Sequence, residues 1–268
     1  MIQDIQPHIY HNEYTPVKPQ KTDLVFAYSG KNVFVKEDHS FPLVSDYPED
    51  TALQYLFRID DTCFFLADTG AVHTVEIPVN DMRRYDPEYL GFAAVTGWQL
   101  YNWYNENRYC GVCGKEMKHD EKERAMKCTE CGHIVYPKIM PCIIAGVINN
   151  KGQIALTRYA HQYKTTYALI AGFCEIGETA EETVKREVKE EIGVDVEDLV
   201  YYKCQPWSFS STLLFGYYCH VKGSDEITLD RNELKEAVWM SPEEIPQNLD
   251  PGSLTAEMIM RFGRGEVK

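Results

Sequence analysis

Between Gly172 and Val194 the chain reads GFCEIGETAEETVKREVKEEIGV, which puts seven glutamates, two lysines and one arginine into 23 residues. At 100° per residue, Val184, Val188 and Ile192 form one apolar stripe suited to a core. Glu187, Glu190 and Glu191 fall on a neighbouring arc with no basic partner on that arc, and like charges three and four apart repel by a few tenths of a kcal/mol each, about the size of one surface ion pair. A solvated acidic face is one explanation. The other is that divalent cations turn the repulsion into binding, since hard carboxylate oxygens suit Mg²⁺ and Mn²⁺. Thr179, followed three residues later by Glu182, forms a capping box, so the carboxylates are expected on a helix that starts beyond Gly177.

A second cluster has different chemistry. Cys110, Cys113, Cys128 and Cys131 form two CxxC pairs, each followed by glycine. Four thiolates complete a tetrahedral zinc site and leave no open position, so the expected Zn²⁺ is structural. An iron–sulfur or redox role is the alternative. Lys115, Lys118, Lys122, Arg124 and Lys127 alternate with Glu116, Asp120, Glu121 and Glu123, which makes no basic patch. Cys63, Cys142, Cys174, Cys204 and Cys219 sit among apolar and aromatic residues and are expected to be small buried hydrophobes.

Around these clusters the pattern changes twice. The first ninety residues read as strands and turns, with hairpin signals at Ser29-Gly30 and Asp60-Asp61 and no catalytic spacing. From Pro87 to about Asn107, Phe92, Val95, Leu100, Trp103 and Tyr104 recur with a helical period. From Pro141, PCIIAGVI, QIALTRYA and YALIAGFCEI precede the acidic helix; DVEDLVYYKCQPW and STLLFGYYCHV follow it. Strands on both sides of a central helix predict a mixed-sheet α/β domain. The expected division is 1–105 as a β-rich domain with a connecting helix, 106–138 as a zinc ribbon, and 139–268 as the α/β domain.

The net charge of −14 disfavours non-specific nucleic-acid binding. It leaves room for an anionic substrate bridged by metal ions. No apolar run is long enough for a membrane helix, and the first ten residues lack the features of a secretory signal; a cytoplasmic protein is the expectation.

The spacing Gly172, Glu178, Arg186-Glu187-Val188, Glu190-Glu191, Gly193-Val194 resembles the Nudix box, GX5EX7REUXEEXGU, at every position. The resemblance implies a Nudix α/β/α sandwich, with the box as loop–helix–loop, that hydrolyses a nucleoside diphosphate linked to another moiety. It implies Glu187 and Glu191 as the main Mg²⁺ or Mn²⁺ ligands and Glu190 as a ligand or base. It also implies that Arg186 orients Glu178 and that the carbonyl of Ala171 is a further ligand.

About ten residues later, CQPWSFSST together with the upstream ribbon resembles the NADH pyrophosphatase branch, whose motif here is SQPWPFPxS. Gln205, Pro206, Trp207 and Phe209 match it. Cys204, Ser208 and Ser210 replace a serine and two prolines, which removes two fixed φ angles from the loop. The resemblance makes Gln205, Pro206, Trp207, Ser208, Phe209, Ser210, Ser211 and Thr212 the expected substrate-binding stretch, with Trp207 and Phe209 stacking on a base or nicotinamide. Pro206 and the serines favour a loop there over a core strand.

In LDRNELKEAVWM the match makes Glu233 the fourth carboxylate, with Glu236 the alternative. Thr255, Glu123 and Tyr136 occupy substrate-contacting positions, the last two toward the shared site of a partner subunit. The branch implies a homodimer with one zinc per subunit. It also implies cleavage of NAD(H) to AMP and nicotinamide mononucleotide, and removal of NAD caps from RNA 5′ ends. Hydrolysis of another dinucleotide or a nucleotide sugar such as ADP-ribose is the alternative. A non-catalytic nucleotide-binding regulator is disfavoured by the intact box.

Overall fold

The structure, a computed structural model, describes residues 1–160, 167–246, 249 and 252–267. They fall into two compact units: residues 2–138 with 208–210, and residue 1 with 139–207 and 211–268.

The first unit begins with β1 (Tyr10–His11), β2 (Leu24–Phe26), β3 (Tyr28–Ser29), β4 (Asn32–Lys36), β5 (Gln54–Ile59), β6 (Thr62–Leu66) and β7 (Thr74–Pro78). They form two sheets, ordered β1-β5-β6-β2 and β3-β4-β7. Both expected hairpins are present: Ser29 pairs with Asn32 and Ile59 with Thr62. α1 (Glu88–Glu106) buries Phe92, Val95, Leu100, Trp103 and Tyr104.

β8 (Met117–His119), β9 (Met126–Cys128) and β10 (Ile134–Val135) then make a small antiparallel sheet. Its Met117, Met126, Cys110 and Cys128 share one core with Phe57, Val95 and Trp103. Three short strands offer too little apolar surface for a core of their own. Residues 106–138 therefore group with the N-terminal segment.

The second unit holds β11 (Met140–Ile148), β12 (Ile154–Tyr159), β13 (Ile170–Phe173), α2 (Ala180–Ile192), β14 (Asp195–Trp207), β15 (Thr212–Lys222), β16 (Leu234–Met240) and α3 (Leu254–Gly263). The sheet order is β14-β15-β11-β12-β16, with β13 also paired to β11. β11 runs parallel to β15 and antiparallel to β12 and β13, so the sheet is mixed. Alternate residues of a strand face opposite sides. Ile143, Ala145 and Val147 pack with Val184, Val188 and Ile192 of α2. Ile144 and Ile148 pack with Leu254, Met258, Ile259 and Phe262 of α3. The result is the expected α/β/α sandwich.

One local expectation fails. Gln205, Pro206 and Trp207 continue β14, paired with Leu214, Leu213 and Thr212, and only Ser208–Ser210 form a 3-10 turn. β14 is an edge strand, where a proline's missing N–H breaks no ladder bond. Of the five other cysteines, Cys142 and Cys219 are buried, while Cys63, Cys174 and Cys204 are partly exposed. No helix among the described residues is long and apolar enough to cross a membrane.

Candidate active site

α2 is fixed at both ends by its own sequence. The Thr179 hydroxyl accepts from the Glu182 N–H at 3.2 Å, and Glu182 Oε2 accepts from the Thr179 N–H at 2.8 Å. Gly193 closes the helix at φ +77°, a conformation that suits glycine. The capped helix buries Val184, Val188 and Ile192, so its register on the sheet fixes where each glutamate points.

Arg186 organises the acidic face. Its Nε and Nη2 donate to the two oxygens of Glu178 at 2.8 and 2.9 Å, and Nη2 also donates to the Phe173 carbonyl at 2.9 Å. Its Nη1 donates to Glu187 Oε1 at 2.7 Å and to Glu190 Oε2 at 2.9 Å. Two of the three carboxylates that the helical arc leaves unpaired thus share one guanidinium. Glu178 also accepts from the Thr183 hydroxyl at 2.9 Å and the Glu175 N–H at 3.1 Å. Arg186 first, then these donors, lower its pKa to about 2.

Glu191 has the opposite environment. It is 2% exposed and its Oε2 has no hydrogen-bond partner. Burial, then the charges of Glu187 and Glu233, push its pKa up to about 8, against a backbone hydrogen bond from Ala171. Burial also raises Glu187, with Arg186 opposing. A buried carboxylate oxygen without a donor, beside two more carboxylates, is relieved by a cation. Glu187, Glu191 and Glu233 are therefore the groups whose mutual repulsion a divalent ion would relieve, although their oxygens do not all lie within 4.8 Å of one another.

Gly172 makes room for this arrangement. A Cβ there would stand 1.9 Å from Glu187 Cδ, so the box's first glycine is a steric requirement of the carboxylate that packs on it. Glu233 is exposed and lies within electrostatic reach of Glu187 and Glu191. Glu236 is instead paired with Arg158 at 3.1 Å across the β12–β16 register. Motif reading misses Tyr159, a partly buried phenol at the end of β12 whose pKa is raised first by desolvation and then by Glu191 and other nearby acids. Its place on the α2 side of β12, two pleats from Ala155, is the only sequence signal for it.

The other expected substrate residues are dispersed. Gln205 is fully buried, and its amide is engaged with the start of α3: Oε1 accepts from the Leu254 N–H at 2.7 Å, and Nε2 donates to the Gly252 carbonyl at 3.3 Å. It holds the helix turn that carries Thr255. Phe209 packs against the core of the first unit, and Ser208 and Thr212 are buried. Trp207 and Ser211 are partly exposed; Pro206 and Ser210 are exposed. On the ribbon, the Tyr136 hydroxyl donates to Glu123 Oε2 at 2.7 Å.

The four cysteines converge. Cys110 Sγ lies 3.6 Å from Cys131 Sγ, and Cys113 Sγ lies 3.5 Å from Cys128 Sγ. Zn–S bonds of about 2.3 Å set tetrahedral sulfurs roughly 3.8 Å apart, so the cage has zinc dimensions. Gly114 and Gly132 at φ +73° and +72° close the two knuckles. N–H groups of the knuckles lower the pKa of Cys110, and that of Cys128 to about 6. Among the described residues, these four are the one group of three or more potential ligands whose atoms all lie within 4.8 Å of one another. The carboxylates of α2 are more widely spread, two of them held by Arg186.

Known proteins agree with this geometry. A family model described as the NUDIX domain matches residues 139–261, and one described as the NADH pyrophosphatase zinc ribbon domain matches residues 105–136. The protein named NAD-capped RNA hydrolase NudC of Pectobacterium carotovorum subsp. carotovorum (strain PC1) is 37% identical over 163 residues, 61% of this chain and 62% of that protein. Its namesake in Escherichia coli O1:K1 / APEC is 38% identical over 163 residues, 61% of this chain and 63% of that protein. The matched stretch thus spans less than two thirds of either relative. A solved NUDIX hydrolase from Nitrosomonas europaea shares the fold at a TM-score of 0.50 and 22% identity, over 59% of this chain and 90% of that one. Residues 139–261 are thus a NUDIX domain, preceded over residues 105–136 by an NADH pyrophosphatase zinc ribbon.

Proposed function

We propose that the protein cleaves the diphosphate bond of NAD(H), giving AMP and nicotinamide mononucleotide, and that the same site removes NAD caps from RNA 5′ ends. The observation that carries this is the buried Glu191 oxygen, without a donor, within electrostatic reach of Glu187 and Glu233. Such a site gains by binding a cation, and a diphosphate supplies the matching anion. The sequence likeness to proteins named NAD-capped RNA hydrolase supports the dinucleotide.

Glu187, Glu191 and Glu233, with the Ala171 carbonyl and Glu190, would hold Mg²⁺ or Mn²⁺. When bound, such ions neutralise the diphosphate and acidify a water. The residues of the chain do the rest. Arg186 keeps Glu187 and Glu190 oriented, and Glu178 anchors Arg186. Glu190, held through Oε2 by Arg186, would take the proton of the attacking water on its other oxygen. The water oxygen bonds to phosphorus as the bridging P–O bond breaks, and the leaving phosphate carries away the electron pair. Trp207 and Thr255 are assigned to the bound dinucleotide, with Glu123 and Tyr136 acting from the partner in a cytoplasmic homodimer.

Product analysis by chromatography with NADH, NAD⁺ and ADP-ribose, in Mg²⁺ and in Mn²⁺, tests the activity. Release of AMP and nicotinamide mononucleotide in equal amounts is expected. Comparable rates on ADP-ribose would remove the nicotinamide preference.

Two variants probe the geometry. Gly172→Ala forces Glu187 aside, and kcat/KM for NADH is expected to fall roughly 10- to 100-fold, about 1.4–2.7 kcal/mol, with the fold intact by circular dichroism. Glu233→Gln should cost roughly 10-fold in kcat, while Glu236→Gln, which removes only a surface pair, should change it less than about twofold. Equal losses in this second pair would reverse the assignment.

A further inference from the structure

The first unit contains a cavity of about 520 Å³ that the hydrolytic chemistry does not use. This lies inside the range of about 300–1,000 Å³ typical of small-molecule sites. Its buried lining includes Leu66, Met117 and Met126. One wall is aromatic: Tyr104 faces His119 with ring centroids 4.5 Å apart, and Tyr101 and Tyr109 also line the space. Asp68 and Glu116 stand in the lining, and their carboxylates have no hydrogen-bond or ion-pair partner among the described residues. Arg108, whose guanidinium donates to the Asn105 side-chain oxygen, also lines the cavity.

Aromatic faces joined by unpaired carboxylates attract a flat organic cation. A guanidinium in the same cavity suits an anionic group on the same molecule. We propose that this cavity binds a zwitterion made of a flat cationic ring and a phosphate, the chemistry of an N-ribosylpyridinium phosphate. That is also the class of product the proposed reaction releases from the oxidised dinucleotide. Desolvation lowers the pKa of His119, with the charge of Asp68 opposing, which disfavours a second cation on that wall. The site belongs to the first unit and depends on none of the NUDIX carboxylates.

The ring charge gives the test. Calorimetric titration of the full zinc-loaded chain, without Mg²⁺ or Mn²⁺, compares oxidised nicotinamide mononucleotide with its reduced form, whose ring is neutral. The oxidised form is expected to bind at least about tenfold more tightly, and the exposed-residue variants Asp68→Asn and Arg108→Ala should each weaken it about fivefold or more. Their melting temperatures should match the parent, and their initial rates on NADH should stay within about twofold of it. Equal affinity for the two redox forms would overturn the proposal. So would binding that survives both variants, or that disappears in Glu191→Gln, which would place the ligand in the NUDIX domain. Failure to hydrolyse NADH would remove the proposed reaction and leave this binding result standing.

Discussion

Glu191→Gln is expected to lower kcat on NADH by roughly three orders of magnitude while making the metal-free protein more stable at pH 8. The loss follows from removing one anionic oxygen donor from a site whose task is to hold charge against a diphosphate, worth about 4 kcal/mol at 1.36 kcal/mol per tenfold. The gain follows from the same residue's burial. Its pKa in the fold, about 8, lies above the ordinary 4.5. The unfolded chain therefore releases the proton first. The fold has its full advantage from this group below pH 4.5, and the metal-free protein loses stability as pH rises from there toward 8. Glutamine has no proton to lose and avoids a charged oxygen in a buried position. Denaturant titrations of metal-free protein should show the variant more stable by on the order of 4 kcal/mol at pH 8 and equal to the parent at pH 4. A variant as active as the parent would remove Glu191 from the site. One that is inactive and destabilised at pH 8 would mean that the carboxylate serves the fold.

Removal of zinc should produce the largest loss of stability. The ribbon's own apolar residues are few, and Cys110, Cys128, Met117 and Met126 complete the core that also holds Phe57 and Trp103. Structural zinc contributes on the order of 10 kcal/mol to folding in small domains, more than such strands can replace. Cys128→Ser should purify with less than one zinc per chain. Its first unit should melt more than about 10 °C lower, since a few kcal/mol moves the melting point of such a domain that far. Chelation of the parent should give the same result, and added zinc should reverse it. The NUDIX unit has separate cores and should keep its own melting transition. Full zinc occupancy in the serine variant would exclude a four-sulfur site.

The local features of this protein were already set in one dimension. The box needs only its own 23 residues: Thr179 and Glu182 start the helix, Gly193 stops it, and Val184, Val188 and Ile192 fix its buried face. The zinc knuckles are equally local, because each CxxC-G turn aims its pair of thiols through its own backbone. What depended on distant partners was not legible. The arc of α2 shows three unpaired glutamates, yet Arg186 takes two of them, because its long side chain reaches sideways and back to Glu178 and Phe173. Pro206 suggests a loop until the sheet order reveals an edge strand that tolerates it. Gln205 looks like a ligand contact until α3 folds over it and engages both ends of its amide. Helix caps, heptad-like stripes and metal knuckles arise from interactions within a few residues, so sequence alone determined them. The buried position of Glu191, the pairing of Glu236 with Arg158 and the sharing of one core by ribbon and N-terminal strands arise where segments far apart in the chain meet. Only tertiary structure decided those, because desolvation and charge coupling depend on neighbours that the sequence does not place.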